Sequence, residues 1–177
     1  MRRWAALLIG AIALFCCVGC GGEMPPVTFA SYEKGYETTA PGGWKRVPEE
    51  DAGETDLLLE SPEGAAVFMI YDEPKADYNL TAEEYFDIVL NMTAYDMNTL
   101  PEEKVELCEI APLTVNGGEA PGYRFNFTDE SGLNMVFQLY FFETEDAYVR
   151  VNASAKVSAF EEYQPILNEI VESILVR

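Results

Sequence analysis

Two hydrophobic rhythms alternate along this chain. Residues 27–31 and 36–40 read as two short strands, the first rhythm being that of extended chain. Pro41-Gly42-Gly43-Trp44 follows as a turn. Residues 56–60 and 65–71 predict a hairpin around Ser61-Pro62-Glu63-Gly64, and 72–79 reads as polar and irregular. The rhythm then changes to a helical one. Thr81-Ala82-Glu83-Glu84 has the spacing of a capping box. Behind it Tyr85, Phe86, Ile88, Val89, Met92 and Tyr95 recur on one predicted helix face, which ends across 98–103.

Four longer strands follow, at 105–115, 120–128, 133–142 and 147–154. They are separated by Asn116-Gly117-Gly118, by 129–132 and by 143–146, loops short enough to make an antiparallel meander. Ser158-Ala159-Phe160-Glu161 is a second capping-box pattern. The closing helix places Tyr163, Ile166, Leu167, Ile170, Val171 and Ile174 on one side, with Pro165 predicting a kink or a broken first turn. Residues 65–71 are apolar throughout, and 135–142 are interrupted only by Gln138. Strands of that kind are covered on both faces. Tyr123, Phe125 and Phe127 instead alternate with Arg124, Asn126 and Thr128. With two amphipathic helices available, the expected class is α+β. It is a three-layer α/β/α sandwich around a central, largely antiparallel sheet of about six to eight strands.

The first twenty residues, MRRWAALLIGAIALFCCVGC, change this picture at one end. A basic Met1-Arg2-Arg3 precedes an uncharged apolar run and small residues at a cut site, the layout of an export signal. The apolar run is shorter than the roughly 20 residues a spanning helix needs. Cys17-Val18-Gly19-Cys20 resembles the lipobox of bacterial lipoproteins, with Cys17 standing where leucine is usual. The resemblance implies cleavage before Cys20 and a diacylglyceryl group on its sulfur. The expected organisation is a signal at 1–19, a lipidated tether at 20–26 and one domain at 27–177. Two acyl chains anchor stably where one would not. A six-residue tether reaches at most roughly 20 Å. The expected place is the cell membrane, lipid-anchored and exposed on the extracytoplasmic side.

Charge narrows the partners. The net charge of −20 becomes −22 once Arg2 and Arg3 leave with the signal. Such a surface repels nucleic acid and anionic head groups, so the expected partners are the membrane through the lipid and an envelope protein, with no nucleic acid. The chain has no histidine, which removes the commonest general base and metal ligand and every Ser-His or Cys-His pair. No catalytic residue, cofactor or metal site is expected. Cys20 is the lipidation residue, so Cys108 has no disulfide partner in the mature chain; flanked by Glu106 and Glu109, it is expected to be a buried, inert thiol. Trp44 is expected in the core. The acidic stretch holding Glu49, Glu50, Asp51, Glu54 and Asp56 matches no calcium-loop spacing and reads as solvated.

With four-residue loops in the meander, Thr128 would face Leu133 and Phe142 would face Ala147. Arg124, Asn126, Phe137, Leu139, Arg150 and Asn152 would then share one sheet face. Arg124, Asn126, Arg150 and Asn152 are the candidate binding residues, able to line a pocket or receive an acidic group. The competing expectation pairs the arginines with Glu161, Glu162 or Glu169, or leaves them in water.

Across most of 27–177 the chain resembles the PsbP-like family, which includes bacterial lipoproteins of the DcrB type. The carriers are Tyr36-Glu37-Thr38-Thr39-Ala40-Pro41-Gly42-Gly43-Trp44 and Asn116-Gly117-Gly118 ahead of a Tyr-x-Phe strand. The others are Ala159-Phe160-Glu161-Glu162-Tyr163-Gln164-Pro165 and Ile170-Val171-Glu172-Ser173-Ile174. The resemblance implies an α/β/α sandwich and an assembly or accessory role beside a membrane complex. It implies no shared catalytic set.

Overall fold

A computed structural model describes residues 24–98, 107–128 and 132–177, with side chains at 94–98 left aside. Cys20 and the signal lie outside the described residues. The meander consists of β6 (Cys108–Val115), β7 (Gly118–Thr128), β8 (Asn134–Glu143) and β9 (Ala147–Lys156). Between β6 and β7, Asn116 and Gly117 take φ of 50° and 82°. That is the two-residue turn whose twist suits a hairpin and which favours Asn-Gly. The earlier strands are β1 (Val27–Ala30), β2 (Tyr36–Ala40), β3 (Lys45–Arg46), β4 (Leu57–Glu60) and β5 (Ala66–Pro74), and the chain closes on β10 (Leu175–Val176). Seven strands form one antiparallel sheet in the order β3-β4-β5-β9-β8-β7-β6. A separate sheet has the order β1-β2-β10. The helices are α1 (Ala82–Asn98) and α2 (Phe160–Glu172).

Successive strand residues point to opposite faces, and each face of the large sheet carries its own core. On one face α2 buries Leu167, Ile170 and Val171 against Phe68 and Ile70 of β5, Tyr140 of β8 and Val149 and Val151 of β9. The small sheet joins this layer through Tyr36 and Ala40. Its link to α2 is polar as well: Thr38 Oγ1 donates to the Ile170 carbonyl at 2.6 Å, and the Thr39 N–H donates to Ser173 Oγ at 2.8 Å. Trp44 is buried in the same core with its ring edge-on to Tyr163 at 6.3 Å. On the opposite face α1 lays Tyr85 flat on Tyr148 at 4.4 Å and Phe86 beside Phe141 at 5.0 Å. Leu90, Phe125 and Leu139 complete that smaller core. The result is the expected α+β sandwich, two helices flanking an antiparallel sheet.

Several local expectations are corrected. Thr81 does cap α1: its N–H donates to Glu84 Oε2 at 2.8 Å, and the Glu84 N–H donates to Thr81 Oγ1 at 3.3 Å. Ser158 does not cap α2. A 3-10 turn (Val157–Ala159) leads straight into the helix, Ala159 holds the cap position, and Pro165 sits inside α2. The strand at 65–71 continues to Pro74 because Asp72, Glu73 and Pro74 pair with β9. Its outer residues Val67, Met69 and Tyr71 are only half-buried, so β5 is fully covered on one face and not on both. Cys108 is exposed on the edge strand β6, which has a single neighbour in the sheet.

The largest correction is a register. Thr128 pairs with Asn134, not with Leu133, so five residues separate β7 from β8. Gly132, at φ of 84°, belongs to that longer connection. A one-residue shift moves a whole strand to the other face. Arg124 and Asn126 therefore share the α2 side with Gln138 and Val136, their cross-strand neighbours. Phe142 pairs with Val149, a two-residue displacement that preserves facing. Arg150 and Asn152 accordingly remain beside Phe141 and Leu139 on the α1 side.

Candidate functional site

The four candidate binding residues thus divide between two faces. On the α2 side Asn126 is exposed, while the half-buried Arg124 places its guanidinium carbon 6.0 Å from the centre of the Phe160 ring. On the α1 side Arg150 and Asn152 stand two residues apart on β9, facing the helix. Neither arginine is ion-paired with Glu161, Glu162 or Glu169 among the described residues.

Arg150 lies in a cleft between α1 and the sheet, of about 320 Å³. Its guanidinium carbon is 4.1 Å from the centre of the Tyr71 ring, its cross-strand neighbour. Stacking of this kind fixes the plane of the fork. Arg150 Nε and Asn152 Oδ1 are buried and have no hydrogen-bond partner. A buried polar atom left unpaired costs about 1–3 kcal/mol, and of the unpaired buried atoms among the described residues, which include Gln138 Oε1 on the opposite face, only Arg150 Nε belongs to a side chain lining the cleft.

The helix side of the cleft explains why α1 carries more apolar residues than it packs. The expected stripe included Ile88 and Met92, yet these are 44% and 59% exposed, while Leu90, outside that stripe, is buried. Tyr85, Phe86, Val89 and Leu90 face the sheet core; Ile88 and Met92 form the rim of the cleft together with Leu80. Tyr95, the last member of the expected stripe, has its side chain outside the described residues. Tyr148 fastens the rim residue Leu80 from behind: its hydroxyl donates to the Leu80 carbonyl. Its ring stacks on Tyr85, and the Lys75 ammonium lies 5.5 Å from its centre. Burial pushes the Tyr85 phenol up to about 12, so it stays neutral. Glu73 also lines the cleft, accepting from Tyr78 Oη at 3.3 Å.

A second polar cluster was not anticipated. Asp72, at the end of the core-facing run of β5, is 4% exposed and paired with Lys34 at 2.7 Å. Its other oxygen accepts from Tyr36 Oη. The Asp72 N–H donates to Asp56 Oδ2 at 2.7 Å. Hydrogen bonding to Asp72 holds Lys34 above its ordinary value, while burial, then the Asp72 contact, pushes the Tyr36 phenol far up. Burial also raises the Asp56 carboxyl. These groups satisfy one another and tie β2 to β5 across the two sheets, which makes the cluster a fastening. Asp56 therefore belongs to this fastening and not to the acidic stretch before it, where residues 49–51 form an exposed 3-10 turn. The available signal was the polar residue that follows Tyr71 without ending the strand.

No known protein family and no curated protein matches the chain by sequence. Solved structures do match by fold. Cyanobacterial PsbP from Synechocystis sp. PCC 6803 superposes with a TM-score of 0.58 at 12% identity, over 90% of this chain and 98% of that one. LpqN of Mycobacterium tuberculosis, involved in cell envelope biogenesis, gives 0.52 at 12% identity over 84% and 88%. The Ran-binding protein Mog1p of Saccharomyces cerevisiae gives 0.54 at 12% identity over 86% and 96%. The chain has a PsbP-like fold.

Proposed function

We propose that this chain is a lipid-anchored, extracytoplasmic and non-enzymatic binding domain, an accessory module that acts on an envelope protein beside the membrane. The observation that carries the reading is the distance between the lipobox and the folded domain. Met24, four residues after Cys20, already packs on the turn after β2. A Cβ at Gly42 would lie 2.2 Å from Met24 Cβ and 2.5 Å from its carbonyl oxygen, so only glycine admits the chain there. Three residues, 21–23, separate Cys20 from Met24 in the sequence, a length of chain that can span roughly 14 Å at most. A domain of net charge −22 would not hold an anionic membrane by itself, so the lipid does.

The comparisons support the accessory part of this reading. The same fold serves a protein of envelope biogenesis in LpqN and a protein-binding role in Mog1p. A chain without histidine would also need an unusual carboxylate chemistry to be an enzyme.

In-cell crosslinking with affinity recovery tests it, comparing wild type with Cys20→Ala. The expected result is one reproducible envelope partner in the wild type, reduced at least tenfold in the variant at equal protein level. Equal recovery from both, or none from either, would remove the membrane-dependent role.

A further inference from the structure

The cleft under α1 has a chemistry of its own, independent of the anchor. We propose that it binds a small organic monocarboxylate with an apolar body, the carboxylate on Arg150 and the body between the sheet and the helix rim. The charge comes first. Arg150 is the one cation lining the cleft among the described residues and has no carboxylate within ion-pair distance. Other cations of the described residues do find carboxylates, Lys75 on Glu143 and Arg177 on Glu37. A planar fork held on Tyr71, with Nε buried and unpaired, matches the two oxygens of a carboxylate.

Shape and polarity fix the rest of the ligand. Leu80, Ile88, Val89 and Met92 give the cleft an apolar wall. About 320 Å³ suits a compact molecule and is near the lower end for ligand sites. Glu73 of β5, which also lines the cleft, disfavours a second negative charge. The two exposed apolar residues of the rim, costly in water on an isolated helix face, gain cover when the body is seated.

The test is calorimetric titration of the protein isolated from its host membrane, kept in lipid nanodiscs. The probes are 3-phenylpropionate, its neutral amide 3-phenylpropanamide, and acetate, which lacks the body. The acid is expected to bind at least tenfold more tightly than the amide, and acetate not measurably. Arg150→Gln should weaken the acid at least tenfold and bring it level with the amide. Arg124→Gln, on the opposite sheet face, should bind the acid as wild type does. Ile88→Glu, at the exposed rim, should also lose the acid while leaving the fold intact, and it decides the matter should Arg150→Gln prove unstable. Equal binding of acid and amide, wild-type binding by Arg150→Gln or by Ile88→Glu, or no heat with any acid would overturn the proposal. None of these outcomes bears on the Cys20-dependent partner.

Discussion

Leu167→Ala is expected to cost about 2–5 kcal/mol, the range for emptying a fully buried leucine site. Leu167 is completely buried in α2 and belongs to the core shared by the helix, β5, β9 and the small sheet. Whole domains are stable by about 5–15 kcal/mol, so the loss is a large fraction of the total. Urea unfolding followed by far-UV circular dichroism should show a lower midpoint with an unchanged slope. Ile88→Ala on α1 should stay within about 0.5 kcal/mol of wild type, because Ile88 is 44% exposed and lines a cleft instead of a core. Similar losses at the two positions would contradict the division into a packed α2 face and an open α1 rim.

The second large effect is expected at Asp72. Asp72→Ala strands the Tyr36 hydroxyl and removes the partner of Lys34. Hydrogen bonds to a charged group are worth about 1.5–3 kcal/mol, and that is the expected loss. It falls below the cost of breaking a fully buried pair because Lys34 is 37% exposed and can turn to water. Asp72→Asn should lie between, since an amide oxygen still accepts from Tyr36 but leaves the ammonium unbalanced. The pH profile gives an independent reading. The folded phenols of Tyr85 and Tyr140 are pushed up to about 12 from the ordinary 10.0, in each case first by burial. The folded state therefore keeps protons that the unfolded chain has lost. The stability they contribute is complete below pH 10 and disappears as pH rises through about 12. Lys34, also raised, acts in the same direction. Thermal unfolding temperature should fall steeply above pH 10, with tyrosinate absorbance appearing together with unfolding. In Asp72→Ala the fall should begin from a lower plateau and be shallower. An unchanged profile in that variant would dissociate the cluster from stability.

Much of this architecture is legible in the residue pattern because apolar alternation reports burial directly. The meander, both helices and the buried Trp44 follow from it. What escapes is whatever depends on one residue of loop length or on a long-range neighbour. Gly132 gave no sign of how many residues the β7–β8 connection uses, and that one residue separates Arg124 from Arg150 by the thickness of the sheet. Ser158-Ala159-Phe160-Glu161 has capping-box spacing, but a 3-10 turn occupies the position where the cap would form. Cys108 sits in an apolar run whose strand turns out to be an edge. Half of the cleft was visible for a sound reason: strand alternation sets Arg150 on the face opposite Val149 and Val151, which lie in the α2-side core. The other half of the cleft, the rim of α1, was hidden because Ile88 and Met92 share the helical spacing of core residues yet stand exposed at the cleft. The Asp72 cluster was invisible for a related reason, since Lys34 and Tyr36 reach it from 36 or more residues away in sequence.

Everything proposed for this domain beside a membrane depends on the chemistry at Cys20, and intact-mass analysis of the protein purified from its native membrane addresses it directly. The account predicts a chain beginning at residue 20, heavier than residues 20–177 by at least a diacylglyceryl group. That added mass should map to an N-terminal peptide containing Cys20. A chain that retains residues 1–19, or one cut elsewhere with an unmodified Cys20, would contradict it.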